Sequence, residues 1–173
     1  MLSVGLWTIV KTERCIIREI TTADVDRLYE IYSDYETRQY IEDLYENKED
    51  EIKYTEEYIA NQYRFFEYGL WIVTDKSTGT IIGRSGLFNR DCQDEIELGF
   101  VFDKSYWGKG YAMEVLTAII SYAKSELSVT SMCANVHNDN IRSKKLLEKL
   151  SFKYDRENTI DSKLFSKFIL TNL

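Results

Sequence analysis

The chain has 173 residues, 44% of them hydrophobic and 29% charged, and a formal net charge of −7. That length makes one domain, residues 1–173, able to bury roughly 70% of its unfolded surface. The acid excess argues against a basic nucleic-acid surface; the apolar runs fall far short of the ~20 residues of a membrane span; and Met1–Lys11 has neither the basic region nor the cleavage site of a secretory leader.

In chain order, Cys15–Ile20 reads as a strand. Thr21 and Thr22 then cap a helix in which Val25, Leu28, Ile31 and Tyr32 recur at helical spacing. Residues 34–53 show no clear period, and a second helix is expected from Thr55 to about Phe66. Leu70–Val73 and Thr80–Phe88 read as strands joined by a turn at Asp75–Gly79. After a turn at Asn89–Asp94, a further strand covers Glu95–Asp103. Ser105–Tyr111 is a loop with two glycines, and Ala112, Val115, Leu116, Ile119, Ile120 and Ala123 then make one apolar helix face. Val129–Val136 is a strand, and Asn138–Asn140 caps a helix carrying Ile141, Leu146, Leu147 and Leu150. Phe152–Tyr154 and Phe165–Leu170 close the chain as strands. Hairpins followed by strand–helix–strand–helix predict an α+β fold, with a mixed, mostly antiparallel sheet of about six to seven strands and about four helices.

Cys15, Cys92 and Cys133 are odd in number, far apart and without a C-x-x-C, as expected of reduced thiols in a cytoplasmic protein. With His137 the one histidine, no metal site is expected, and no G-x-S-x-G accompanies it for a hydrolase triad. The informative segment is the strand Glu97–Asp103 running into Tyr106–Ala112. A helix that opens on glycines presents unpaired N–H groups and a positive dipole end, a cradle for phosphate. Spacing excludes two nucleotide readings. Gly79–Ser85 is one residue short of a P-loop, and Met113 stands where a dinucleotide fingerprint beginning at Gly108 needs glycine.

Trp107-Gly108-Lys109-Gly110-Tyr111-Ala112 resembles motif A, [QR]-x-x-G-x-[GA], of the GNAT superfamily of acyl-CoA-dependent N-acetyltransferases, with Trp107 in place of Gln or Arg. Asn140–Phe152 resembles the N-x-x-S-x-x-x-L-E-K-x-G-F of its RimJ/RimL branch of ribosomal-protein N-terminal acetyltransferases, with Ser151 in place of glycine. The resemblance covers about residues 14–173. It implies a GNAT-like acyl-CoA N-acyltransferase fold and, without a metal, acetyl transfer from acetyl-CoA to a primary amine by direct attack in a ternary complex. The acceptor would be a protein N-terminal α-amine or a small cationic amine such as a polyamine or aminoglycoside. A non-catalytic acyl-CoA-binding module on the same fold is the alternative.

The resemblance also implies site residues. The CoA pyrophosphate falls to the backbone of Lys109, Gly110, Tyr111 and Ala112. The pantetheine and thioester carbonyl fall to backbone groups of Leu98, Gly99 and Phe100, where Glu95–Phe102 and Val129–Val136 splay apart. Asn140 adds a CoA contact. Glu97 matches the acid that takes the amine proton, with Glu95 on the same strand face as the alternative. Ser143 matches a serine near the sulfur, while Leu147 occupies the position where many members carry a tyrosine acid. Arg142, Lys144 and Lys145 read as a solvated helix face, with the adenosine phosphates as the alternative. Between Glu42 and Glu57 stand eight acids and two lysines, in the segment that covers the acceptor in this family, so a cationic acceptor is expected. The protein is expected to be a monomer or homodimer.

Overall fold

The computed structural model describes residues 7–89 and 95–173, so Cys92 and most of the turn read at Asn89–Asp94 lie outside the described residues. Within them, one sheet contains β1 Thr8–Lys11, β2 Cys15–Arg18, β3 Leu70–Asp75, β4 Ile81–Phe88, β5 Glu97–Phe102, β6 Ser131–His137, β7 Lys153–Ile160 and β8 Lys163–Thr171. The helices are α1 Val25–Ser33, α2 Tyr35–Arg38, α3 Lys48–Phe66, α4 Tyr111–Ser125 and α5 Ile141–Lys149. The strand order is β1-β2-β3-β4-β5-β6-β8-β7, one strand more than expected, and only β5 and β6 run parallel. None of the helices is long and apolar enough to cross a membrane among the described residues.

Two apolar layers sandwich the sheet. Under α4 and α5 lies the larger core, where Val115, Leu116, Ile119 and Ala123 of α4 and Leu147 of α5 pack with Trp71, Leu98, Met132 and Phe168. Under α1–α3 lie smaller clusters around Leu28, Ile31, Tyr32, Ile72 and Val101. The regular helical stripes in the sequence are the faces that fill these layers, and removing that apolar area from water is the main driving force.

Four elements, α3, β1, β7 and β8, differ from the sequence reading, each for a local reason. Helix α3 begins at Lys48, seven residues before the expected start. The Asn47 side chain caps it by accepting from the Glu49 N–H at 2.7 Å, and three acids sit in its first turn. Only Glu51 and Thr55 of this helix are buried, so no apolar stripe announced it. Strand β1, not foreseen, is an edge strand held by β2 alone. Strands β7 and β8 extend far beyond the expected stretches and meet at Asp161-Ser162, both left-handed at φ 48° and 63°. That is the geometry of a two-residue primed turn, here without its usual glycine. Strand β7 is the other edge, exposed along most of its length, and such a strand needs no alternating apolar residues.

Candidate active site

The glycine loop is where sequence pattern and geometry meet most directly. Gly108 and Gly110 have φ of 71° and 83°, a region that L side chains rarely occupy. Gly110 is the N-cap of α4 and offers no capping side chain. The first helical bond runs from Glu114 N–H to Gly110 C=O at 3.1 Å, so the N–H groups of Tyr111, Ala112 and Met113 have no partner within the helix. The loop is braced from behind. Arg14 donates to the Lys109 carbonyl at 3.0 Å and to Glu114 at 2.6 Å, and its guanidinium lies 4.1 Å from the centre of the Tyr111 ring. Tyr111 in turn donates its hydroxyl to Asp75 at 2.7 Å. Hydrogen bonds from the Ser77 and Tyr111 hydroxyls pull the Asp75 carboxyl down to about 2. A Cβ on Gly110 would stand 3.3 Å from Arg14, so this glycine is fixed by both its φ and its brace.

Beside the loop, β5 and β6 part. One residue pair, Glu97 with Cys133, joins them, with Cys133 N–H donating to the Ile96 carbonyl at 2.9 Å. The bond from Asp103 N–H to Ile82 C=O sets the alternation on the other edge of β5: odd-numbered residues turn their backbone groups to β4, even-numbered ones to β6. Leu98 and Phe100 therefore turn their backbone groups toward β6, along the edge where the two strands part. Gly99 does not. Its backbone is directed at β4, and its carbonyl also accepts from the Ser85 hydroxyl at 3.0 Å. The reason for a glycine there is steric, since a Cβ would come within 2.7 Å of the Phe88 ring.

On the α1–α3 side of the sheet a cavity of about 220 Å³ opens against β5, β6 and β8. Glu97, Cys133, Asn135 and Lys167 form its floor, and Arg156, Asn158, Thr159, Ile160 and Asp161 of the β7–β8 hairpin form its wall. Glu97 is 4% exposed. Glu95 lies on the same cavity but accepts from the buried Lys167 ammonium. None of the acids between Glu42 and Glu57 lines it. Among them Glu51 is buried and accepts from the Tyr45 N–H at 3.0 Å, a structural task.

Helix α5 borders the opening from the opposite face. Asn140 caps it, accepting from the Ser143 N–H at 3.1 Å. Ser143 lies one turn before the fully buried Leu147, hence on the inward side of the helix. Glu97 and Ser143 thus sit on opposite faces of the sheet. His137 packs between the Tyr40 ring at 5.1 Å and the Phe165 ring at 5.6 Å, and its Nδ1 accepts from Asp139 N–H. Those contacts account for it structurally. Arg142 is exposed and lies over the Trp107 ring, its guanidinium 3.9 Å from the ring centre. Among the described residues no group of three or more His, Cys, Asp or Glu side chains is arranged to hold a metal ion. The hairpin residues of the cavity wall were missed because nothing in the polar run Lys153–Asp161 distinguishes it from a solvated strand.

The family model for the acetyltransferase (GNAT) domain matches residues 14–153. An uncharacterized N-acetyltransferase of Bacillus subtilis, YoaA, is 30% identical over 151 residues, covering 86% of this chain and 84% of that protein. With another B. subtilis protein, YkkB, the chain shares 32% identity over 89 residues, about half the length of each. Among solved structures, RimL, the ribosomal L7/L12 α-N-protein acetyltransferase, superposes with a TM-score of 0.80 at 12% identity, covering 96% of this chain and 94% of that one. Mycobacterium smegmatis RimJ in complex with CoA-disulfide does so with a TM-score of 0.75 at 12% identity, covering 91% and 81%.

Proposed function

The chain belongs to the GNAT acetyltransferase family, and on that premise we propose that it transfers the acetyl group of acetyl-CoA directly to a primary amine. The observation that carries this reading is the gap between β5 and β6, with a glycine-opened helix on one side and a cavity holding a buried carboxylate on the other. The unpaired N–H groups at the start of α4 receive the pyrophosphate. Pantetheine adds along β5 through the backbone groups of Leu98 and Phe100, which also polarise the thioester carbonyl. The amine enters from the cavity. Only a neutral amine attacks, and Glu97, buried on the cavity floor, takes its proton, with Glu95, which accepts from Lys167, as the alternative. As the tetrahedral intermediate collapses, the C–S bond breaks, the nitrogen sheds its second proton, and the Ser143 hydroxyl relays a proton to the leaving thiolate. Asn140 holds that serine's turn.

The acceptor is a protein N-terminal α-amine or a small cationic amine. Its positive charge is a separate matter from the chemistry, because the Glu42–Glu57 acids lie away from the cavity lining. The experiment is an amine panel with the purified protein, following CoA release and acetyl-amine formation together. Acetylated amine formed in step with CoA supports the reading. Acetyl-CoA binding with no turnover on any amine would make the chain a non-catalytic acyl-CoA-binding module.

A further inference from the structure

The motif that resembles the phosphate loop lacks its usual side-chain donor, because an indole, Trp107, stands where Gln or Arg is expected. The indole is not idle. Its Nε1–H donates to the Phe102 carbonyl at 2.8 Å, which fixes the ring against the end of β5. Over that ring, at 3.9 Å from its centre, lies the guanidinium of Arg142 from the first turn of α5. A guanidinium stacked on its face keeps all its N–H donors free in its own plane, aligned for a planar, two-point contact with phosphate oxygens.

The charge around Arg142 is unbalanced. It is exposed, and among the described residues no carboxylate pairs with it. Its charge is felt at Lys104, whose own ammonium is engaged by Glu36 at 2.8 Å. In a chain with seven more acids than bases, an arginine stacked on an indole and left without an acid is placed for an anion brought from outside.

We propose that Arg142, oriented by Trp107, supplies from α5 the phosphate-binding side chain that the glycine loop itself lacks, and so binds a phosphate group of CoA. This rests on the cofactor reading above. The contact also links the loop before α4 to the turn that carries Ser143, so the phosphate end of the cofactor and the acid at its sulfur are set by one helix.

The test is calorimetric titration of the purified protein with CoA, 3′-dephospho-CoA and pantetheine, for wild type, Arg142→Gln, Arg142→Lys and Trp107→Ala. Arg142→Gln should weaken CoA binding about 10- to 100-fold, the range for charge-assisted hydrogen bonds, and leave pantetheine unchanged. Trp107→Ala should lose a comparable factor, and Arg142→Lys should recover only part of the loss, because an ammonium makes no two-point contact. If the 3′-phosphate is the ligand, wild type loses the same factor on dephospho-CoA and Arg142→Gln loses nothing more. If the diphosphate is the ligand, Arg142→Gln weakens both nucleotides equally. CoA affinity within twofold of wild type in Arg142→Gln overturns the proposal while leaving the cofactor reading intact. No CoA binding by wild type overturns both.

Discussion

The two faces of the sheet solve their tasks with different parts of the chain. On the α4–α5 face, the cradle is made of backbone: two glycines at positive φ, three unpaired N–H groups and a helix dipole, braced by Arg14, Tyr111 and Asp75. On the α1–α3 face, the cavity is made of side chains drawn from β5, β6, β8 and the β7–β8 hairpin. On the function proposed above, the backbone site takes the cofactor and the side-chain site the acceptor. A side-chain site is free to differ with its acceptor. Substitutions on the two faces should therefore fail in different ways.

The largest effect is expected on the side-chain face. Glu97→Gln should lower kcat/KM about 10²–10⁴-fold, the usual worth of a positioned base, with CoA affinity unchanged by titration. Across the sheet, on the α4–α5 face, Ser143→Ala should lower kcat without changing that affinity. Near-wild-type rates in both would move the chemistry to proximity and backbone polarisation alone. On the backbone face, Gly110→Val should abolish the rise in Tm that acetyl-CoA gives the wild type, an effect of about 2.7 kcal/mol at 100 times Kd. The cause is a Cβ placed against Arg14 at a φ of 83°, which displaces the loop. An unchanged ligand-induced shift would show that the cradle tolerates a side chain there, and so would break the contrast.

Smaller effects sharpen it. Asp75 is held at about 2 against an ordinary value of 3.8. Its folded-state pKa is depressed, so its contribution is present above pH 4 and is lost as pH falls toward 2. Asp75→Asn should flatten that part of a Tm-against-pH curve and loosen Tyr111 of the brace. A curve superimposable on wild type would remove Asp75 from it. Ser151 has φ 70° after α5, where Ser151 N–H bonds the Glu148 carbonyl and Phe152 N–H the Leu147 carbonyl, both at 3.0 Å. This is a Schellman cap, a position that favours glycine. Ser151→Gly should raise stability by about 1 kcal/mol in chemical denaturation, with no change in kcat. A loss of stability would mean that the serine is favoured there for a reason beyond its φ. If the acceptor is cationic, kcat/KM should fall several-fold between about 0.02 and 0.5 M salt, and replacing the exposed Glu49 and Asp50 should flatten the fall. A salt-independent rate would return that segment to a solvated surface.

What the sequence determined by itself was local and backbone-borne. The apolar stripe of α4, the glycines before it and the Asn140 cap each rest on residues a few positions apart, so a pattern in one short window was enough. Tertiary structure decided the rest. It turned Gly99 away from the opening through the alternation of the β4–β5 ladder, engaged Glu95 with Lys167 72 residues away, and laid Arg142 on Trp107. It also raised the hairpin wall around Glu97 from residues with no pattern of their own. Side-chain sites of this kind depend on which strands become neighbours, and that is fixed by the packing of the whole sheet against its two helical layers.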